Sequence, residues 1–371
     1  MHRTEFYVPG PGPYALTHSV GCLPIHGAAA IERHYLQPWR HQGGDAWPAW
    51  LCAIDEFRES LAALLGGDAA DYCPQANLSS GLAKLLPALP RRAGRTVLLA
   101  AEDCFPSMAF VLQMARAVGY ETRLIPRAQD ASSIAPWRDA LTSEVAAALV
   151  THVHSNTGIV APVADIAALC RERGIVCVVD VAQSAGIVPL SISQMAAHVV
   201  LGSCVKWLCG GPGAGFMWLD PSFQTQLTPT DVGWFSHEDP FEFDVHSFRY
   251  ASDARRFWGG TPSVAPYVVA TVGLRTLAQI GIEAVRAHNR GLMQVFCAEL
   301  PSSWRDRLDL ERIGGTLCLP LGHAHAQVLR SFGANGVRAD SRGSIVRLSF
   351  HIYNTSAEAA TVARCWAEVA T

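Results

Sequence analysis

Charge is scarce in this sequence. Only 16% of its 371 residues are Asp, Glu, Lys or Arg, and the formal net charge is −3. No basic stripe stands out, so nucleic acid is not an expected partner. No apolar run reaches the roughly 18–20 residues that cross a bilayer, so no membrane partner is expected either. The N-terminus, Met1 to Pro13, lacks the apolar core of a signal peptide. A cytoplasmic protein is therefore expected. Cys-x-x-Cys is also absent. The eleven cysteines are scattered and odd in number, and many stand in apolar surroundings. That pattern predicts reduced thiols, with neither a structural disulfide nor a metal site. Internal repeats and low-complexity linkers are missing as well.

What the chain does have is apolar residues, which make up half of it. That is enough for one large core or two. From about residue 95 strands and helices alternate. Strands are predicted over 96–101, 122–125, 147–153, 175–180, 198–202 and 215–219, and helices over 107–119 and 163–173. Such alternation predicts an α/β fold whose mainly parallel sheet is covered by helices on both faces. Ligands of such sheets bind outside the carboxyl ends of the strands. Beyond residue 262 two helices, 263–281 and 282–300, precede short strands and a final helix, which reads as a smaller α+β domain. Residues 1–45 read as irregular and are expected to pack near the active site. The predicted division is 1–45, 46–262 and 263–371.

Two residues carry the chemistry of this pattern. Asp180 closes the strand-like run Gly-Ile-Val-Cys-Val-Val-Asp, and Lys206 follows in Gly-Ser-Cys-Val-Lys-Trp-Leu. A lysine in an apolar stretch has a lowered pKa and suits imine formation with an aldehyde. A carboxylate at the neighbouring strand end can keep a pyridine nitrogen protonated. Together they predict pyridoxal 5'-phosphate (PLP), although Asp180 could also cap the turn after it. Asn77-Leu-Ser79-Ser80-Gly81, ahead of the helical run 82–86, offers helix-start N–H groups and hydroxyls for a phosphate. Ser203 and Thr261 could each add a hydroxyl. Phe105 follows a strand and could stack on the cofactor ring. Gln183 could bond the cofactor's phenolic oxygen, with His154 and Asn156 as rivals. Arg347 alternates with apolar residues on a strand and could hold a substrate carboxylate as a fork, with Arg342 as its rival. His18, Trp39, Trp47, Trp50 and Trp234 could line an aromatic pocket or simply pack a core. The run Gly210–Gly215 lacks the strand–Gly-x-Gly-x-x-Gly–helix context of a nucleotide loop. It reads as a flexible turn that lets Lys206 approach a ligand.

At these residues the chain resembles the class V aminotransferase family of fold-type I PLP enzymes, in its kynureninase and cysteine-desulfurase-like branches. Seven segments match in order. Residues 14–24 resemble the N-terminal substrate-side segment, where His18 lies. Cys104-Phe-Pro-Ser107 resembles a ring-stacking segment, and Asp180-Val-Ala-Gln183 an Asp-x-Ala-His/Gln motif. Ser203-Cys-Val-Lys206 is similar to the Schiff-base motif. Gly233-Trp234 and Phe257-Trp-Gly-Gly-Thr261-Pro262 resemble phosphate-side segments, the second reaching into a partner subunit's site. Arg347 with Tyr353-Asn354-Thr355 resembles the carboxylate arginine and its signature. The resemblance implies a three-layer αβα large domain, a small C-terminal domain and a homodimer with shared active sites. It also implies an α-amino acid substrate, with Arg347, His18 and His154 on the substrate side. Two departures bear on the reaction. Residues 337–344 carry no cysteine, where desulfurases place a nucleophile, and Val205 and Gln183 replace the usual kynureninase Tyr and His. Aminotransferase chemistry is therefore the first expectation. The alternative is kynureninase-like hydrolytic Cβ–Cγ cleavage or elimination of a β-substituent. A degenerate binding module would have lost Lys206 or Asp180, and both are present.

Overall fold

A computed structural model describes residues 2–369. Its centre is a seven-stranded sheet in the order 72–75, 215–219, 199–203, 176–180, 145–151, 97–101, 121–125. Five neighbouring strands pair in parallel, and Gly215–Leu219 runs antiparallel between Val199–Ser203 and Tyr72–Gln75. Val97–Ala101, Val176–Asp180 and Gly215–Leu219 are buried at every position. Continuous apolar runs of this kind mark strands covered on both faces. Glu121–Ile125 alternates between exposed and part-buried residues up to its buried last position, Ile125, as the edge of the sheet should.

Helices start where local chemistry starts them. Asn77 caps Leu78–Ala88 by accepting the Ser80 N–H at 2.9 Å. Pro106 opens Pro106–Met114, and Gly119, in the left-handed region, closes the turn that follows. Thr355 and Glu358 form a capping box at the head of Ser356–Ala367.

Two buried apolar clusters result. The larger runs from Phe6 to Val285, with Ile352 and Tyr353 added. The smaller takes in Ala15 and residues from Leu292 to Trp366. Ala265–Ile280, expected in the smaller unit, instead packs against Trp47–Leu65 and contributes Val268, Leu274 and Leu277 to the larger cluster. The smaller cluster surrounds a three-stranded antiparallel sheet in the order 316–320, 345–349, 340–342. No single helix among the described residues is long and apolar enough to cross a membrane. All eleven cysteines are free thiols, and all but Cys52 are buried.

The first 45 residues are less irregular than the sequence reading expects. Gly27–Ile31, Glu32–Leu36 and Gln37–Gln42 form one helical run with a π-helical middle turn. Pro38 lies inside this continuous run, where it removes one backbone donor next to the π-helical turn. The run docks through aromatic contacts from Tyr35 to Trp39 and Trp50. Trp50, Trp47, Trp234 and Phe235 form a chain of ring contacts, and Trp234 also lines a separate cavity with Phe243 and Phe248.

Candidate active site

Five strand ends open onto one cavity of about 630 Å³. The loop after Tyr72–Gln75 supplies Asn77, Ser79 and Ser80. The loop after Val97–Ala101 supplies Phe105, and Val145–Thr151 ends in Thr151 with Ser155 just beyond. Asp180 closes its strand, and Gln183 follows it. Ser203 and Lys206 come from the next strand end. Parallel pairing aligns these groups, with Asp180 opposite Thr151 on one side and Leu201 on the other.

Lys206 is part-buried in this cavity, with Nζ 5.6 Å from the centroid of the Phe105 ring. Withdrawal from water lowers its pKa to about 8; Asp180 opposes that effect, and Arg347 and Arg342 add to it. The N-terminal segment holds the lysine turn in place. Gly21 N–H donates to the Val205 carbonyl at 2.8 Å. A Cβ at Gly21 would lie 2.0 Å from the Lys206 carbonyl oxygen, so only glycine allows that approach. Gly210 is similarly confined: a Cβ there would meet Cys204 at 2.6 Å and Ala270 at 2.8 Å. Gly210 and Gly213 thus pack against Ala265–Ile280, while Gly211 between them is open.

Asp180 is buried, and burial raises its pKa. Its Oδ1 accepts the Ala182 N–H at 2.8 Å, and among the described residues Oδ2 receives no hydrogen bond. A buried carboxylate in this state needs a proton or a cationic partner. The Thr151 hydroxyl oxygen is also buried and unpartnered at the cavity wall. At the other end of the cavity, Asn77 uses the Ser80 N–H, while Leu78 and Ser79 occupy the first helical turn, whose N–H groups have no intrahelical partner. An anionic phosphate suits that end, and a protonated ring nitrogen suits Asp180. The residues present therefore fit PLP.

Other expected residues lie elsewhere. His18 is buried behind the cavity, with Nδ1 2.8 Å from Ser349 Oγ and Nε2 2.9 Å from Asp340 Oδ1. Both ring nitrogens are taken, which leaves no group on it for a substrate. His154 is buried too. Its Nδ1 lies 2.9 Å from Asp103 Oδ2, and neither nitrogen has a well-formed hydrogen bond. The flanking Val153 and Ser155 line the cavity instead. Gln183 lines the cavity, but its amide donates to the His18 carbonyl at 3.0 Å and accepts the Trp207 indole N–H at 3.1 Å. Asn156 accepts from Arg342 at 2.9 Å. Trp234 and Thr261 lie outside the cavity walls and bond each other at 3.2 Å.

Arg347 lies on the expected strand, with a partner the sequence reading did not name. It is buried, and its Nε and Nη2 donate to the two carboxylate oxygens of Asp340 at 2.8 Å and 2.5 Å. The sequence reading missed Asp340. Its signal is the Gly343-Ser344 turn, which folds Asp340–Arg342 back on Ile345–Ser349 and sets Asp340 opposite Arg347.

Comparison with known proteins agrees with this architecture. An apo cysteine desulfurase from Thermococcus onnurineus superposes with a TM-score of 0.85 at 19% identity, covering 99% of this chain and 97% of that one. A C-DES mutant with glycine covalently linked to its PLP cofactor superposes at 0.83 with 21% identity, covering 98% of each chain. Among curated sequences, the kynureninase of Deinococcus radiodurans is 30% identical over 87% of this chain and 78% of its own length. That of Burkholderia pseudomallei is 28% identical over 81% and 73%. The family model for class-V aminotransferases matches residues 82–362, a span that holds Phe105, Asp180, Lys206 and Arg347, and the chain belongs to that family.

Proposed function

We propose that this protein is a PLP-dependent enzyme that cleaves an α-amino acid beyond its α-carbon, in the manner of a kynureninase-like hydrolase or lyase. The cofactor is PLP. The observation that carries the reading is the placement of Lys206, Asp180 and Phe105 around one cavity at the carboxyl edge of the sheet. When bound, PLP supplies a ring that accepts electrons from the substrate α-carbon.

The protein's own groups do the rest. Asp180, buried and accepting one N–H, holds a proton on the ring nitrogen by remaining its anionic partner. Lys206 is the attachment point. With a pKa near 8 it can both give up and take back a proton at the substrate α-carbon near neutral pH. Phe105 forms one wall for the ring. Ser79, the Leu78 and Ser79 N–H groups and Ser203 bind the phosphate end. Gln183 acts through the wall: it ties the Asp180 turn to the His18 backbone and to Trp207, and it cannot exchange a proton as histidine does. The reading includes a homodimer with shared sites. The exposed Phe243 and Val245, in the loop beside Trp234, support such a surface.

Cleavage is placed ahead of transamination because the two kynureninases match over most of the chain. Transamination is the second reading. The family description and the proton-inert Gln183 favour it. The discriminating experiment is turnover of L-kynurenine and β-substituted amino acids with no keto acid present. Steady product formation supports cleavage. A single turnover that stalls until a keto acid is added would establish transamination instead.

A further inference from the structure

We infer that His154, carried on Asp103 behind the cavity wall, is a positioning residue whose positive charge keeps Asp180 ionised opposite the cofactor nitrogen, a proposal that rests on the PLP-enzyme reading above. The imidazole is 1% exposed, and its neighbours Val153 and Ser155 take the places at the cavity wall. The strand of Asp180 fixes where it stands. Thr151 is the register partner of Asp180, and the His152 N–H donates to the Asp180 carbonyl at 3.0 Å. Two residues on, the His154 N–H donates to the Ile159 carbonyl at 3.1 Å, and the His154 carbonyl accepts the Gly158 N–H at 2.8 Å. The backbone under the ring is thus closed into a turn. His154 Nδ1 lies 2.9 Å from Asp103 Oδ2, and Asp103 comes from the loop between Val97–Ala101 and Phe105. Among the described residues, Asp103 Oδ1, Thr151 Oγ1 and both ring nitrogens of His154 are buried without a well-formed hydrogen bond. Such a group of polar atoms is costly unless charge holds it together.

The charges around Asp180 show what the imidazole does. Burial pushes the Asp180 carboxyl up, and the Ala182 N–H, Lys206 and His154 oppose that. Burial also pushes the Asp103 carboxyl up, but the contact and charge of His154 outweigh it and hold Asp103 below its ordinary value. Arg127 adds a smaller pull from the surface. Lys206 cannot be a constant counter-charge, because it gives up and takes back a proton in turnover. The other titratable neighbours are neutral. Burial brings His152 down to about 4, with its Nδ1 2.9 Å from Ser184 Oγ, and burial pushes the Cys104 thiol up to about 11. His154 is left to supply the lasting positive charge beside Asp180. That charge lowers the affinity of Asp180 for a proton shared with the ring nitrogen, so the proton stays on the ring. Asp103 keeps the imidazole charged and fixes its place.

The test reads charge on two nitrogens by 15N NMR. In protein labelled at histidine, the His154 signals are those that disappear in His154→Asn. They should be those of an imidazolium at pH 7, in both cofactor-free and PLP-loaded wild type. In protein loaded with PLP labelled at its ring nitrogen, that nitrogen should appear protonated in wild type and move towards the unprotonated position in His154→Asn. Asparagine can still donate to Asp103 but carries no charge. Asp103→Asn keeps the imidazole and removes its carboxylate, so it should move the ring signal the same way by less. In both variants borohydride label should stay on Lys206. Turnover should fall roughly tenfold, less than the 10²–10³ or so lost with a group that itself meets the reacting charge. A neutral His154 in wild type overturns the proposal. So does an unmoved ring signal in PLP-loaded His154→Asn, even where thermal stability or PLP uptake has dropped, because that pattern marks a merely structural role. Should His154→Asn fail to fold, an unmoved ring signal in Asp103→Asn overturns it equally. A wild type that takes up no PLP would instead overturn the functional reading beneath it, while the His154 charge stays readable in the cofactor-free protein.

Discussion

Replacing Lys206 with methionine should make the cofactor-free protein more stable at neutral pH while abolishing its activity. Burial lowers the Lys206 pKa from 10.5 to about 8, a value that already includes the opposing attraction of Asp180. At 1.36 kcal/mol per pKa unit, holding the charged amine in the fold costs about 3 kcal/mol. The sign follows from proton linkage. Below pH 8 the amine is charged in both states, and the folded state carries the whole cost. Between pH 8 and 10.5 the unfolded chain binds more protons, so stability rises with pH. Above 10.5 the cost is gone. Methionine has nearly the same length and volume and carries no charge, so it should fill the site with little repacking. The assay is urea unfolding of cofactor-stripped wild type and Lys206→Met at one protein concentration, from pH 7 to 10.5. The difference between the two proteins cancels other titrating groups. It should favour the variant by about 3 kcal/mol at pH 7 and vanish towards pH 10.5. A variant that is no more stable at pH 7, or a difference that does not shrink with pH, would refute the reasoning. Lys206 would then be solvated in the fold and not poised as a proton carrier.

Three further outcomes are expected. Borohydride treatment of the PLP-loaded protein should place the label on Lys206, as read by peptide mass spectrometry; label on another lysine would reassign the attachment point. Asp180→Ala should bind PLP more weakly and lose on the order of 10²–10³ in kcat, the usual effect of removing one preorganised electrostatic group, and near-normal turnover would mean that the ring nitrogen is held elsewhere. Gly21→Ala forces a Cβ to within 2.0 Å of the Lys206 carbonyl oxygen, so it should destabilise the fold by roughly 1–3 kcal/mol and lower the yield of Lys206 label. Unchanged labelling in a folded Gly21→Ala protein would show that the N-terminal segment does not position the lysine.

The parallel sheet was legible because its strands are bounded apolar runs. Val176–Asp180 and Gly215–Leu219 can be read from sequence to within a residue, and every position in them is buried. The cavity could be read because its residues follow those runs directly. What escaped depends on partners far away in sequence. Residues 27–42 carry Pro38, His34 and His41 and show no clean helical period, yet they fold as a helix once Tyr35 and Trp39 can pack on Trp50. Tyr72–Gln75 contains Pro74, which argues against a central strand. It sits at the outer edge of the sheet, paired on one side only. Gln183 faces the cavity as expected, but its amide is taken by His18 and Trp207, from segments 165 and 24 residues away.

Register is the deeper reason why the Asp340 partner of Arg347 was not legible in the sequence. On a strand, side chains alternate between faces, so a residue's neighbours are set by which residue pairs with it. Arg347 meets Asp340 only because the turn joining the two strands holds two residues, Gly343 and Ser344. That spacing pairs Arg342 with Ile345 and Asp340 with Arg347. One more residue in the turn would shift the pairing by one position. It would move Asp340 off the Arg347 guanidinium and carry Arg342 away from Ser155 and Asn156 at the same time. The Asp340–Arg347 pair and the contacts of Arg342 with Ser155 and Asn156 are thus two consequences of one hairpin register. The turn length settles which arginine of the small sheet pairs with Asp340.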